Sequence, residues 1–169
     1  PRSDWRSPLF AEILPSVCQA LAPRVPYVPS SPSGGVLPFH VNAGIAHYYG
    51  VGAYLRPLED ARRAGVRFAA ECLAFANVPE DSTIRDVVPG GQAIFHHPAW
   101  KQRTPRDSGS SWDFEDVRDH YLRALFGADP RQLRMHDPLR YLALSRVLPG
   151  ELMASRFAEW RRAESTCRG

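Results

Sequence analysis

Hydrophobic residues recur at helical spacing in some stretches of the chain and in short continuous runs in others. Residues 8–21 have apolar positions three and four apart after Ser7-Pro8, a pair typical of a helix start. Pro15 lies within this stretch and is expected to kink or divide the helix. Short apolar runs predict three strands, at residues 25–28, 44–49 and 66–73.

Start and stop signals predict further helices in the rest of the chain. Two short helices are expected, at residues 58–64 and 82–88. Asp113 has the position of an N-cap before an amphipathic stretch that Gly127 closes. Residues 139–165 are expected to form helices interrupted at Pro149-Gly150.

Short strands that alternate with helices predict an α/β fold with a parallel sheet. No glycine-rich phosphate-binding loop follows any predicted strand, which argues against a nucleotide-binding fold. The chain has 169 residues, enough for one domain with a sizeable core. A complete (β/α)₈ barrel needs roughly 200 to 250 residues, so the chain is short for one.

Composition and charge narrow the classes of partner. Hydrophobic residues make up 44% and charged residues 23%, as in a globular domain. The net charge is +3 and the two tight arginine pairs, Arg62-Arg63 and Arg161-Arg162, lie beside acidic residues, which argues against nucleic-acid binding. No apolar run reaches the roughly 18 residues that would cross a membrane. The chain starts at Pro1 rather than Met, which leaves its termini and its localisation, cytoplasmic or secreted, open.

Metal-binding spacings are missing from the sequence. The three cysteines are far apart, and His96-His97 has no third ligand nearby. We therefore expect no metal site.

Glu71 is the sharpest candidate for chemistry. It is the only charged residue between Phe68 and Asn77, in a run predicted to be a buried strand. An unpaired buried carboxylate costs several kcal/mol, so this residue needs either a core ion-pair partner or a place in an active site. The residues alone leave both interpretations, a core ion pair and an active-site carboxylate, open.

Three other features could accompany Glu71. His47, Tyr48 and Tyr49 lie at a predicted strand end, where they could contact a carboxylate or a sugar hydroxyl, or simply be core aromatics. Ser31 lies in a proline-flanked turn that could shape a pocket or be only a turn. Trp100 lies in the irregular segment after the third predicted strand, where it could line a site or pack as a loop aromatic against the protein.

Together these motifs resemble the β-mannosidase-like branch of glycoside hydrolase family 2. Residues 27–35 (Tyr-Val-Pro-Ser-Ser-Pro-Ser-Gly-Gly) resemble the segment after the family's fifth barrel strand. Residues 46–50 (Ala-His-Tyr-Tyr-Gly) resemble its Gly-Asp-x-His-Tyr-Trp element at the sixth strand. Residues 67–71 (Arg-Phe-Ala-Ala-Glu) resemble Arg-Phe-x-Ser-Glu at the seventh, where Glu is the nucleophile. Residues 141–146 and 157–162 resemble the long helix before the eighth strand.

The resemblance implies a single segment, residues 1–169, of a (β/α)₈ TIM barrel, from helix 4 to the helices before strand 8 and incomplete at both ends. It implies a retaining β-glycoside hydrolase with Glu71 as nucleophile, Tyr48 bonded to Glu71, and His47, Ser31 and Trp100 in contact with a carbohydrate substrate. The implied partners are that carbohydrate, the remainder of the barrel and accessory β-sandwich domains, and the implied two-carboxylate mechanism needs no cofactor. The family's acid/base Glu follows Asn, and no Asn-Glu occurs in this sequence, so that residue is expected upstream and the isolated chain is expected to be inactive.

The sequence also departs from the family after the nucleophile. The family continues Glu-(Phe or Tyr)-Gly-Phe-Gln-Ser-x-Pro, whereas residues 72–79 read Cys-Leu-Ala-Phe-Ala-Asn-Val-Pro, one residue longer and without the glycine. This departure leaves the sugar and linkage open. It also leaves open an alternative of another class, a non-catalytic carbohydrate-binding or scaffold relative.

Overall fold

The computed structural model describes residues 7–37, 39–88 and 98–168. A π-helical turn, Leu9–Ile13, precedes the first α-helix. The elements that follow are α1 (Leu14–Leu21), β1 (Ala46–Tyr48), α2 (Asp60–Arg63), β2 (Ala69–Cys72), α3 (Asp81–Val87), α4 (Pro98–Lys101), α5 (Phe114–Phe126), α6 (Pro130–His136) and α7 (Pro138–Arg161).

The predicted partial TIM barrel is wrong, because the described part of the chain is mostly helical. Its sheet has two strands, β1 with three residues and β2 with four. The parallel pairing of the second and third predicted strands is confirmed, although both are shorter than expected. Residues 25–28 form no strand. Pro26 and Pro29 lack the amide hydrogen that a sheet ladder needs, and Val25 is 66% exposed.

Helix α5 begins and ends where its sequence signals predict. The Asp113 side chain accepts hydrogen bonds from the backbone N–H groups of Glu115 and Asp116, and the Asp116 side chain accepts from the N–H of Asp113 in return. Gly127 then leaves the helix in the left-handed conformation at φ 61°. This reciprocal cap supplies acceptors for N–H groups that a helix start leaves unpaired.

The expected interruption of the last helix is wrong, because α7 runs unbroken from Pro138 to Arg161 with Pro149 inside it. Proline cannot donate to the carbonyl four residues earlier, here that of Ser145. Both Pro149 and Ser145 are nonetheless buried, together with Leu148 and Leu152. The hydrophobic burial of this helix face stabilises α7 by more than Pro149 destabilises it.

The first helical segment continues across Pro15 without the expected division, and its residues at the junction, Ile13 and Leu14, keep right-handed helical dihedral angles. The turn Leu9–Ile13 is π-helical, and the α-helical pattern begins at Leu14. A π-turn is a common adjustment where a proline interrupts the regular ladder. None of the residues in this segment is buried, and Phe10 and Leu21 are 62% and 81% exposed.

The core lies between the small sheet and the helices α5 and α7. Fully buried side chains of the sheet and its flanking loops include Tyr48, Val51 and Leu73, and they belong to one cluster with Tyr121 of α5 and Leu148 of α7. The core therefore anchors the ends of both strands.

A network of buried charges ties α5 to α6 and α7. Glu115 and Arg118, 2% and 1% exposed, form an ion pair at 3.2 Å. Arg118 donates to the hydroxyl of Tyr141 at 2.9 Å, which in turn donates to Asp119 at 2.8 Å. Arg134 of α6 lies over the Tyr141 ring, 4.7 Å from its centroid. Buried charges are tolerated when paired in this way, and losing one partner is costly.

Candidate functional site

Four side chains meet beside the ends of β1 and β2, and we call them the Glu71 cluster. The Tyr49 hydroxyl donates a hydrogen bond to Oε2 of Glu71. Oε1 of Glu71 lies 3.7 Å from Nε2 of His47, which lies 2.8 Å from Oγ of Ser31. The structure thus brings together Glu71, His47 and Ser31, as predicted, and the tyrosine that contacts Glu71 is Tyr49.

Strand pairing explains why these residues converge. His47 and Glu71 are partners in the parallel register of β1 and β2. Side chains along a strand alternate between faces, so Tyr49 follows His47 on the same side. Ser31 arrives because Ser33 and Ile45 form an antiparallel bridge, with N···O distances of 2.9 and 2.8 Å. That bridge holds the serine-rich turn against the start of β1.

Tyr48 does not contact Glu71, and this predicted pairing is wrong. Its ring points to the opposite face, is 1% exposed, and packs edge-on against Trp160. Its hydroxyl donates to Oδ2 of Asp60 at 2.8 Å and accepts from the N–H of Val51 at 3.1 Å. Burial, with a smaller effect of the Asp60 hydrogen bond, raises the pKa of Tyr48 far above its ordinary value of 10.0. Tyr48 is a core residue that fixes the loop after β1.

Gly50 is required next to this core contact. A Cβ at position 50 would lie 2.4 Å from Oδ2 of Asp60 and 2.8 Å from the Tyr48 ring. The absence of a side chain at position 50 therefore lets the backbone pass directly over the buried tyrosine and its Asp60 partner.

The backbone after Glu71 is strained. Leu73 and Ala74 have φ values of 74° and 60°, in the left-handed region that non-glycine residues rarely adopt. The Leu73 N–H donates to the carbonyl of Tyr48 at 2.9 Å, and its own carbonyl accepts from Ala53 at 3.0 Å. Two consecutive strained residues held by hydrogen bonds are a common accompaniment of functional sites.

Glu71 is accessible rather than buried. Its side chain is 58% exposed and that of His47 is 23% exposed. The apolar run around Glu71 predicts a free-energy cost for burying its carboxylate, and this cost does not arise because the carboxylate is exposed. In the described ranges no Lys or Arg forms an ion pair with Glu71, so the alternative of a core ion pair is not what the structure contains.

Tyr49 acts as a stable hydrogen-bond donor. Burial of its hydroxyl, followed by the hydrogen bond to Glu71, raises the pKa of Tyr49 to about 12. The phenol therefore keeps its proton at neutral pH and donates it to the carboxylate without transferring it. The rings of His47 and Tyr54 flank Tyr49 edge-on, each with its centroid 6.2 Å away.

Ser31, His47 and Glu71 are the residue types of a serine-hydrolase triad, but their geometry differs from one. In such a triad the serine and the acid contact different imidazole nitrogens, so that the histidine can relay a proton. Here Ser31 and Glu71 both face Nε2 of His47. The arrangement orients an imidazole beside a carboxylate and does not activate the serine.

Trp100 lies in the helical core. It is 9% exposed, and its indole N–H donates to Oε1 of Glu115 at 2.9 Å. This is the packed position that the sequence left open as the alternative to a sugar contact. Among the described residues no group of three His, Cys, Asp or Glu side chains is placed to hold a metal ion, and His96 and His97 lie outside those residues. No helix in the described ranges is long and apolar enough to cross a membrane.

Comparisons of the chain with models of protein families, with curated proteins and with solved structures find no match.

Proposed function

We propose that Glu71 is the nucleophile of a retaining β-glycoside hydrolase of the β-mannosidase-like type. The observation that carries the proposal is the state of its carboxylate, which is exposed, unpaired with any described Lys or Arg, and held at one oxygen by Tyr49. A nucleophilic carboxylate needs one oxygen oriented and the other able to reach the substrate, and Oε1, 3.7 Å from Nε2 of His47 and so beyond hydrogen-bond distance, meets that need.

The reaction proceeds by double displacement. Oε1 of Glu71 attacks the anomeric carbon, the bond to the leaving oxygen breaks, and a general acid protonates that oxygen. Water, deprotonated by the same group, then displaces Glu71 and releases the sugar with retained configuration. Tyr49 orients the carboxylate, His47 binds a sugar hydroxyl, and Ser31 orients the imidazole.

The general acid comes from outside the Glu71 cluster. Retaining hydrolases have two carboxyl groups about 5 to 5.5 Å apart. The Glu71 cluster contains one carboxyl group. We therefore propose that a further polypeptide segment supplies the general acid, and that this segment and the cluster together bind the carbohydrate substrate.

A non-catalytic carbohydrate-binding protein is the second candidate. The single carboxylate in the cluster favours it, because a lone carboxylate beside tyrosines and a histidine suffices to hydrogen-bond sugar hydroxyls. The two candidates differ in whether a covalent bond forms at Glu71.

A covalent trap separates the two candidates without needing the general acid. A 2-deoxy-2-fluoro glycoside with a dinitrophenolate leaving group, which departs without protonation, requires only the nucleophile. With β-manno and β-gluco reagents we expect one glycosyl adduct by intact mass spectrometry, mapped to the peptide containing Glu71 and lacking in Glu71→Gln. An adduct elsewhere, or one that persists in Glu71→Gln, would exclude Glu71 as nucleophile. Sugar binding without any adduct would favour the binding protein.

A further inference from the structure

The loop after β1, residues 49–56, folds back on itself through its own backbone. The N–H of Tyr54 donates to the carbonyl of Tyr49 at 3.0 Å, and that of Arg56 donates to Gly50 at 2.9 Å. Leu55 adopts a positive φ of 55°, which its N–H bond to Gly52, at 2.9 Å, helps to hold. The loop is therefore a defined turn, and its backbone sets the direction in which each side chain leaves the loop.

A buried tyrosine of α5 hydrogen-bonds two backbone groups of the same loop. The Tyr121 hydroxyl accepts from the N–H of Gly52 at 2.9 Å and donates to the carbonyl of Arg56 at 2.7 Å. Tyr121 is 0% exposed, and the N–H of Ala53 is bonded to Leu73 of the strained segment. The loop is thus attached both to the core and to the backbone that follows Glu71.

Tyr54 projects from this rigid loop into solvent. It is 64% exposed, and in the described part of the chain its hydroxyl makes no hydrogen bond. Its ring stands at 85° to that of Tyr49, with centroids 6.2 Å apart, and Tyr49 holds Glu71. A large ring on a rigid loop, close to an exposed carboxylate and itself largely uncovered, offers an apolar surface to a ligand.

We propose that Tyr54 is a sugar-stacking residue, whose ring packs against the apolar C–H face of the pyranose bound at Glu71. The inference rests on the proposed function and deepens it by assigning the contact that orients the sugar ring. A pyranose has hydroxyls at its rim and C–H groups on its faces. The rings of Tyr49 and Tyr54 stand at nearly a right angle and suit this distribution of groups. Tyr49 gives the site a polar side at the carboxylate, and the ring of Tyr54 gives it an apolar side.

The contact requires the ring of Tyr54 and not its hydroxyl. Tyr54→Phe keeps the stacking surface, whereas Tyr54→Ala removes it. Because the side chain is exposed, both variants are expected to fold, and circular dichroism with thermal unfolding checks this. Arg56→Ala, in the same loop with a side chain 56% exposed, is the matched control for a general loop effect.

The experiment measures binding and trapping separately. Saturation-transfer NMR with methyl β-mannoside and methyl β-glucoside gives the sugar Kd of the 169-residue chain carrying Glu71→Gln. The fluoroglycoside trap gives the concentration dependence of adduct formation on the wild-type background. Tyr54→Ala should weaken binding, and raise the half-saturating reagent concentration, about tenfold, whereas Tyr54→Phe and Arg56→Ala should stay within about twofold.

The outcomes distinguish this inference from the proposed function. If adducts form at Glu71 but Tyr54→Ala binds sugar and saturates as the wild type does, the stacking role is excluded and the nucleophile stands. If Tyr54→Ala weakens binding while no adduct forms, the stacking role stands and the nucleophile is excluded. A chain that binds neither glycoside would overturn both.

Discussion

Tyr49 donates its hydroxyl hydrogen to Glu71 across the parallel pair of β1 and β2, a contact between residues 22 positions apart. It joins an exposed carboxylate to an aromatic group whose backbone is fixed by the core. Tyr48, the preceding residue, faces the other way and serves that core. Tyr48 and Tyr49 therefore have different roles, and substituting each one separately distinguishes an effect on stability from an effect on Glu71.

Tyr49→Phe should slow adduct formation without unfolding the protein. The variant loses only the hydroxyl that orients Glu71, and hydrogen bonds to charged groups contribute about 1.5 to 3 kcal/mol, or roughly 10- to 150-fold in rate. The measurement is the second-order rate of trapping by the fluoroglycoside, with urea unfolding alongside it. An unchanged rate would show that Tyr49 does not position the nucleophile.

Tyr48→Phe is the control for that prediction. It should lower the free energy of unfolding by about 1 to 3 kcal/mol, because the N–H of Val51 and the carboxylate of Asp60 lose a buried partner.

Glu71→Gln should lower the pKa of Tyr49. The substitution removes a charge that helps to raise this pKa, which should move from about 12 toward its ordinary value of 10.0. The difference in alkaline ultraviolet titration between Glu71→Gln with and without Tyr49→Phe isolates this group among the six tyrosines.

Local signals in the sequence predict both ends of α5, but they wrongly predict a helix end at Pro149, inside α7. Asp113 and Gly127 bound α5 because a capping side chain and a left-handed glycine act within one turn. The strands were harder, since pairing partners are distant in sequence. Residues 25–28 have an apolar pattern, but their prolines withhold donors from any ladder, and this outweighed the pattern.

The candidate site was predictable in part. Glu71 and His47 were identified by residue type, and their proximity follows from the parallel register. The family motif predicts Tyr48 as the partner of Glu71, whereas strand alternation puts Tyr49 on the side of His47 and Glu71. The bond between Ser31 and His47 depends on a bridge at Ser33, which no local pattern indicates.

The buried charge network predicts how stability depends on acidity. Burial alone would raise the pKa of Glu115, but the hydrogen bond from Lys101 and the attraction of Arg134 and Arg118 lower it below its ordinary value of 4.5. A carboxyl group with a lowered folded pKa stabilises the protein fully above its unfolded pKa and loses that contribution as pH falls toward the folded value. Glu115 should therefore stabilise the protein at neutral pH and cease to do so in acid.

Glu115→Gln tests this dependence. At neutral pH it should cost about 3 kcal/mol, because it leaves buried Arg118 without its anionic partner. The difference from the wild type should narrow as pH falls below 4.5, measured by urea unfolding across the range. Glu164→Gln, which removes a carboxylate that is 84% exposed, should change stability by less than about 1 kcal/mol at any pH. A cost for Glu115→Gln that is independent of pH would contradict the assigned direction.

The contact between Gly52 and Leu73 links the loop that carries Tyr54 to the strained backbone after Glu71. Gly52 has φ 120°, and a Cβ there would lie 1.5 Å from the Leu73 carbonyl oxygen. Gly52→Ala must therefore displace backbone rather than a flexible side chain, at an expected cost of about 3 kcal/mol or more. Gly109→Ala is the matched control, since φ is 79° but nothing lies within 4 Å of its Cβ, so only the backbone cost of about 1 kcal/mol applies. Thermal and urea unfolding measure both, and equal losses for the two variants would show that the close approach to Leu73 has no energetic weight.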